Sequence, residues 1–389
     1  MSGPLAGIKV LELARILAGP WIGQVLADLG ATVIKVESPA GDDTRTWGPP
    51  FIDRPQGGED HPSAAYFYAA NRGKRSIAAD FRNPDDLALV RDLAAQADVL
   101  VENFKLGGLA KFGLDYASLA PANPGLVYCS ITGFGQDGPY AARAGYDYLI
   151  QGMSGLMSVT GTPEGEPMKV GVAVTDIVTG LYGVIGVQAA LAQRAQTGKG
   201  QHVDMSLLDC ATAMMANQAM NYLATGHPPG RMGNQHPNIV PYQVFAVADG
   251  AVIIAAGNDG QFQRLCEVLE RDELASDPRF RSNRDRVENR AALIDALSQA
   301  LAGWTRSDLL VRLEAAVVPS APINDMADVF ADPQVISRGL KVTPEGIAGV
   351  RTPLVFSDSA LALDRSAPRL DADGPAIRAR GWDGVDGNG

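Results

Sequence analysis

The sequence predicts an α/β protein: a large, Rossmann-like domain built on a parallel sheet, followed by a smaller α+β domain. Three observations carry this. Short apolar runs alternate with amphipathic stretches through the first half of the chain. The composition then turns to Gly, Pro and polar residues at Thr225-Gly226-His227-Pro228-Pro229-Gly230. Beyond that break a hairpin signal is followed by helical stretches. Strands alternating with helices favour a mostly parallel sheet covered on both faces.

Ile8 to Leu13 reads as the first strand. Pro20 opens a helix through Ala27, and Gly30 ends it. Thr32 to Val36 is the next strand, and Ser76 to Ala79 another. Asp85 to Ala95 has helical spacing and leads into the strand Asp98 to Val101; Leu126 to Ile131 is a further strand. Long helices are expected at Ile177–Gln193 and Leu207–Tyr222, with the short strand Gln201–Asp204 between them. Past the break, Tyr242–Val247 and Ala251–Ala255 flank Asp249-Gly250, a hairpin signal. Helices then run over Gln261–Leu269, Arg290–Leu301 and Ser307–Ala316. The expected domains are residues 1–224 and 225–330, with the tail 331–389 returning to the large domain.

Of the 389 residues 46% are hydrophobic and 20% charged, ample for a buried core. The formal net charge of −11 argues against a nucleic-acid partner, which needs an excess of Lys and Arg. Cys129, Cys210 and Cys266 form neither a disulfide framework nor a zinc pattern, so a reducing cytoplasm is expected. His61, His202, His227 and His236 show no pair at metal-ligand spacing, and no metal is expected. No signal or transit peptide is read before the first strand. The longest nearly apolar run, Val184 to Ala192, falls short of the ~20 residues a membrane span needs. A soluble protein is expected.

Gly133-Phe134-Gly135-Gln136-Asp137-Gly138 matches G-x-G-x-x-G after a strand, but Pro139 and Gly145 leave room for only about one helical turn after it. Ser158 stands where an acidic ribose ligand would be needed, so the run reads as a tight turn lining a pocket. Asn71-Arg72-Gly73-Lys74-Arg75-Ser76 is the densest basic cluster; by spacing alone it reads as a solvated turn. Asp176, after Val170-Gly171-Val172-Ala173-Val174-Thr175, opens a helical run and reads in isolation as a helix cap. The small residues Gly171, Ala173, Gly180 and Gly183 around it allow a close approach of backbone or ligand.

Taken together, several of these segments resemble the class III CoA-transferases. They are Gly7-Ile8-Lys9-Val10-Leu11-Glu12-Leu13, Ala18-Gly19-Pro20, Asp28 to Glu37, the basic cluster 71–76, Val101-Glu102-Asn103-Phe104 and Thr197-Gly198-Lys199-Gly200-Gln201. The resemblance covers nearly the whole chain. It implies an interlocked homodimer, coenzyme A thioesters as substrates and no permanently bound cofactor. It makes Asp176, in the segment Gly171 to Asp176, the nucleophile that forms first a mixed anhydride and then an aspartyl-CoA thioester. By position, the CoA contacts it implies fall on Leu17, Ala18, Ala79 to Arg82, Asn103, Phe104, Lys105 and Lys111. Ser38 replaces the arginine that formyl-CoA transferases carry there, so Arg75, Arg82 or Lys105 are expected to help with the nucleotide phosphates. A Gly-rich active-site loop of the family is replaced here by Arg231-Met232-Gly233-Asn234-Gln235-His236.

Two related readings compete with transfer. Alpha-methylacyl-CoA racemases pair the same aspartate with a histidine in a Gly-His-Asp step. Here the step is Gly145-Tyr146-Asp147, and a tyrosine, with a pKa near ~10, is a poor base at neutral pH. A non-catalytic CoA-binding protein is hard to square with an intact Asp176. Within the family, Ala14 to Pro20, Gly41 to Pro50, Ile239 to Gln243 and Ala255 to Asn258 resemble the succinyl-CoA:glutarate (hydroxymethylglutarate) branch. Tyr146 and Asp147 are then expected at the substrate, and Arg15 and Arg45 at its distal carboxylate. Each arginine alone is equally readable as half of a structural ion pair.

Overall fold

The computed structural model describes residues 3–54 and 62–385; Met1, Ser2 and His61 lie outside the described residues. The chain forms two compact units. The first comprises Met1–Leu156, Lys169–His227 and Pro333–Gly389, the second Met157–Met168 and Pro228–Asp332.

The first unit is built on six strands: β1 (Lys9–Glu12), β2 (Thr32–Glu37), β3 (Arg75–Ala78), β4 (Val99–Glu102), β5 (Val127–Thr132) and β6 (His202–Ser206). Every neighbouring pair is parallel, in the order β3-β2-β1-β4-β5-β6. This is the order of a dinucleotide-binding Rossmann sheet, with its switch point between β1 and β4. Side chains alternate between the faces, and both faces of the central strands β4 and β5 are buried, so these read as largely apolar runs, whereas the edge strand β6 is partly exposed. Val10, Val33, Val101, Val127 and Cys129 pack in one core cluster, whereas Leu11, Ile34, Leu100 and Tyr128 pack in the other.

Helix α1 (Ala18–Asp28) and the long helix Val174–Thr197 cover the first face. The two touch through glycines: a Cβ on Gly183 would meet Ile22 at 2.3 Å, and one on Gly180 would meet the Ala18 carbonyl at 3.0 Å. The long helix starts three residues before the predicted Ile177. Among the described residues it is one helix long and apolar enough to cross a bilayer, because Thr, Gly and Ala extend the Val184–Ala192 run. Its Thr179, Gly183, Val187 and Ala190 are nevertheless buried in the unit. The helix Pro84–Ala95 covers the second face together with the C-terminal segment, where Trp382 donates to the Leu93 carbonyl at 3.0 Å.

The predicted helix Leu207–Tyr222 is two helices, Leu207–Met214 and Ala216–Thr225. Ala216 has φ 39°, which no continuous α-helix accommodates.

In the second unit the hairpin is present as β7 (Tyr242–Val247) and β8 (Gly250–Ala255), antiparallel as its turn residues require. A third strand, β9 (Ser320–Pro322), pairs with β8. Its three residues, one of them proline, carry no readable strand signal. Phe245, Val252, Ile254, Phe262, Leu297 and Leu309 form the core of this unit. The sequence gives no sign that Met157–Met168 joins it; Arg231 holds that segment by donating to the carbonyls of Thr162 and Gly165, at 3.1 and 2.8 Å.

Candidate active site

Loops leaving the carboxyl ends of β1, β4 and β5 enclose a cleft at the β1/β4 switch point. Its walls are Arg15 to Ala18, Asn103 to Leu106, and Gly133 with Ala141 to Tyr146; Asp176 faces it from the long helix. Crevices at this place in open α/β sheets are the usual ligand sites.

The β1 loop is held in an unusual shape. Ile16 has φ 72°, costly for a β-branched residue, and its N–H donates to both carboxylate oxygens of Asp42, at 3.2 and 3.3 Å. Asp42 pairs with the buried Lys35 at 2.9 Å, and Lys35 also donates to Glu12 at 3.0 Å and to the Ala14 carbonyl at 2.8 Å. Glu12 meets a second buried cation, Lys74, which donates at 2.9 Å and reaches the Pro20 carbonyl at 2.9 Å. Burial and the Lys35 charge push the Lys74 ammonium down to about 8, against the pull of Glu12. This chain of buried charges fixes the loop on both sides of Ile16.

The basic cluster is therefore not a solvated turn. Lys74 is wholly buried, and Arg72 is buried against Asp28. Their partners, Glu12 and Asp28, lie far off in sequence, on β1 and α1.

Asp176 is the third residue of its helix, and it is not a cap. The N-cap position is Ala173, without a side-chain hydrogen bond. The helix is capped instead from another segment: Asp147 accepts from the Thr175 N–H at 2.9 Å and hydroxyl at 2.7 Å. Gln151, fully buried, donates to Asp147 at 2.8 Å and accepts from the Val170 N–H at 2.8 Å, strapping down the segment before Asp176. Thr175 and Gln151 were missed by sequence reasoning; the spacing Asp147 to Gln151, four apart, was the one available signal. Among the described residues nothing donates a hydrogen bond to the Asp176 carboxylate. Burial, and then the Asp147 carboxylate, push its pKa up to about 7.

Gly133 and Gly145 explain the glycine-rich turn. A Cβ on Gly133 would lie 2.6 Å from Gly145 Cα, so the β5 loop closes backbone to backbone next to Tyr146. Tyr146 lines the cleft and is 57% exposed. Asp147, expected at the substrate, is instead occupied by Thr175 and Gln151.

The expected CoA residues divide. Leu17, Ala18, Asn103, Phe104 and Lys105 line the cleft. Ala79 and Arg82 lie just beyond the carboxyl end of β3, and Phe81 between them packs on Phe104 and Phe112 at 6.2 and 5.4 Å, which brings Lys111 alongside. Arg82 is 87% exposed and paired with Asp80. Arg75 belongs to neither group. It begins β3, at the amino end of the strand and away from the carboxyl-end loops, in a separate cleft with Arg365 and Asp364. The carryover to Arg75 fails because a strand separates it from the site.

Arg45 is also corrected. It donates to both oxygens of Glu37 at 2.8 Å, to Ser63 at 3.0 Å and to the Pro368 carbonyl at 3.2 Å, and lies 3.7 Å over the Phe67 ring. Four of its five N–H donors are thus taken, and the forked edge that could clasp a carboxylate already holds Glu37. Burial works to raise the Glu37 carboxyl, but Arg45, Lys35 and Ser76 hold it below its ordinary value. Arg45→Met is expected to cost about 3–5 kcal/mol in denaturant titrations by stranding Glu37. The folded fraction should keep its preference among acceptor acids; a lost preference would return Arg45 to the substrate. Arg15 does line the cleft, exposed and paired with Asp43 at 2.6 Å.

Residues 5–374 match the model of CoA-transferase family III. The succinate–glutarate CoA-transferase of Agrobacterium fabrum is 56% identical over 94% of this chain and 93% of its own length. The succinyl-CoA:glutarate CoA-transferase of Homo sapiens is 44% identical over 88% of this chain and 76% of its own length. The crystal structure of a CaiB/BaiF family protein from Brucella suis superposes with a TM-score of 0.88 at 62% identity, covering 97% of this chain and 99% of that one.

Proposed function

This chain belongs to CoA-transferase family III, and from that footing we propose that it moves CoA from succinyl-CoA to glutarate or a dicarboxylate of similar length, through Asp176. One observation carries the residue assignment: a carboxylate without a hydrogen-bond donor, in the first turn of a helix, facing a cleft at the sheet's switch point. An uncommitted carboxylate keeps its lone pairs for attack, and its raised pKa reflects a more basic oxygen. The substrates are those in the names of the relatives.

In this reading Asp176 attacks the succinyl-CoA carbonyl and expels the CoA thiolate, leaving a succinyl–aspartyl anhydride. The thiolate attacks the aspartyl carbonyl and releases succinate, giving the aspartyl-CoA thioester. Glutarate attacks that thioester, and the thiolate then takes the glutaryl group from the new anhydride, restoring Asp176. One thioester replaces another, so neither ATP nor a metal is required. Leu17, Ala18, Asn103, Phe104 and Lys105 form the CoA wall, with Arg82 and Lys111 at its rim. The racemase reading lacks a second base, since Tyr146 occupies that place.

We further propose that the protein is a cytoplasmic homodimer. In support, Leu181, Tyr182 and Ile185 on the long helix are 46%, 45% and 61% exposed, an apolar face a second copy would cover. The three cysteines are buried and unpaired, as a reducing compartment favours.

The test of function is a panel of C4–C6 dicarboxylates and monocarboxylates of equal length, assayed with succinyl-CoA, each acyl-CoA being tracked by mass. Glutaryl-CoA is expected as a main product. Transfer to monocarboxylates alone would overturn the substrate reading.

A further inference from the structure

With Arg45 committed to Glu37, the free carboxylate of a dicarboxylate acceptor needs another partner. An anion moved into a cleft away from bulk water is costly unless paired. Among the described residues the cleft holds three cations, Arg15, Lys105 and Arg143. Arg15 is already balanced by Asp43. Lys105 stands in the β4 loop among the residues assigned to CoA. Arg143 stands in the β5 loop, between Gly133 and Tyr146, on the wall that leads to Asp147 and the N-terminus of the Asp176 helix.

Among the described residues no carboxylate pairs with Arg143. Its guanidinium lies 3.8 Å over the Tyr140 ring. Tyr140 in turn packs edge-on against Phe134 at 5.6 Å. Its backbone is held too: the Arg143 N–H donates to the Tyr140 carbonyl at 2.8 Å. Stacking of this kind orients a planar guanidinium while leaving its edge N–H donors open, which suits forked binding of a carboxylate. The loop carrying it is closed by the Gly133–Gly145 contact, so its position is set by backbone packing.

We propose that Arg143 is the specificity-determining residue of this cleft and binds the distal carboxylate of the dicarboxylate acceptor. The proposal rests on the dicarboxylate transfer reading, and its test separates the two. Wild type, Arg143→Met, Arg143→Lys and Arg15→Met are each given succinyl-CoA with an equimolar mixture of glutarate and its monomethyl ester. The ester keeps the length and removes one charge. The ratio of the two acyl-CoA products reports only the acceptor step, because donor and CoA contacts are common to both.

Wild type is expected to favour glutarate, and Arg143→Met to lower the ratio at least tenfold. Arg143→Lys should fall between, since an ammonium keeps the charge without the fork. An unchanged ratio in Arg143→Met overturns the proposal, as does a tenfold fall in Arg15→Met with none in Arg143→Met. Equal losses of both products, with a raised KM for succinyl-CoA, also overturn it and assign Arg143 to the CoA phosphates. No glutaryl-CoA from wild type would instead refute the dicarboxylate reading itself.

Discussion

Asp176→Ala is expected to lower CoA transfer by roughly a thousandfold or more, equivalent to about 4 kcal/mol of transition-state stabilisation. Every covalent step of the proposed reaction passes through this carboxylate. Acyl-CoA binding should survive, because Leu17, Ala18, Asn103 and Phe104 form the cleft wall without it. Intact-mass measurement after incubation with donor should find a CoA adduct on wild type and none on the variant. Near-normal turnover in Asp176→Ala would remove the nucleophile assignment. The pH profile offers a second check. A carboxyl pushed up to about 7 is mostly protonated below that pH, so wild-type kcat/KM should rise through it.

The same shift has a stability consequence of fixed sign. The folded state binds its proton more tightly than the unfolded state. Stability is therefore lost as pH rises from the ordinary carboxylate value towards about 7. Asp176→Asn cannot suffer that loss. Its melting temperature should match wild type near the ordinary carboxylate pKa and exceed it at alkaline pH. Because Asp176 is only half-buried, the gain should be about 1–3 kcal/mol.

The second large effect is on folding. Glu12→Ala is expected to destabilise the protein by about 3–5 kcal/mol, because one carboxylate serves two buried ammonium groups. Glu12, Lys35 and Lys74 are all 0% exposed. No water can replace the lost partner without opening the core between β1, β2 and α1. Chemical denaturation monitored by circular dichroism measures the loss. A change below about 1 kcal/mol would mean that the lysines shed their protons or find other acceptors. Residual folded enzyme should also be slow, since Lys35 links Glu12 to Asp42 and so to Ile16.

How much of the molecule was readable before folding depends on the range of the interaction. The central strands of the first unit were legible because burial on both faces leaves continuous apolar runs such as Val99-Leu100-Val101. The hairpin at Asp249-Gly250 was legible because its turn chemistry is local. The split at Ala216 was not, since the apolar spacing of Leu207–Tyr222 continues unbroken across it. The exchange of Met157–Met168 into the second unit was not either, because it rests on Arg231, about seventy residues away.

The sequence by itself determined the parallel α/β architecture and, through ordered motifs along nearly the whole chain, the family and the aspartate to test. Those depend on local periodicity and on residue identity, both of which a sequence displays. Only the tertiary structure decided what each charge does. Arg45 faces inward because the turn after β2 folds back on Glu37, 8 residues away, and Lys74 because the fold brings Glu12 beside it, 62 residues away. Arg75 is removed from the cleft because it stands at the amino end of β3, and in a parallel sheet that end lies away from the carboxyl-end loops. Arg143 is left open to the cleft because, among the described residues, no carboxylate folds against it. A buried ion pair forms wherever the fold places opposite charges within about 4 Å, and that distance is a property of packing, which no spacing along the chain encodes.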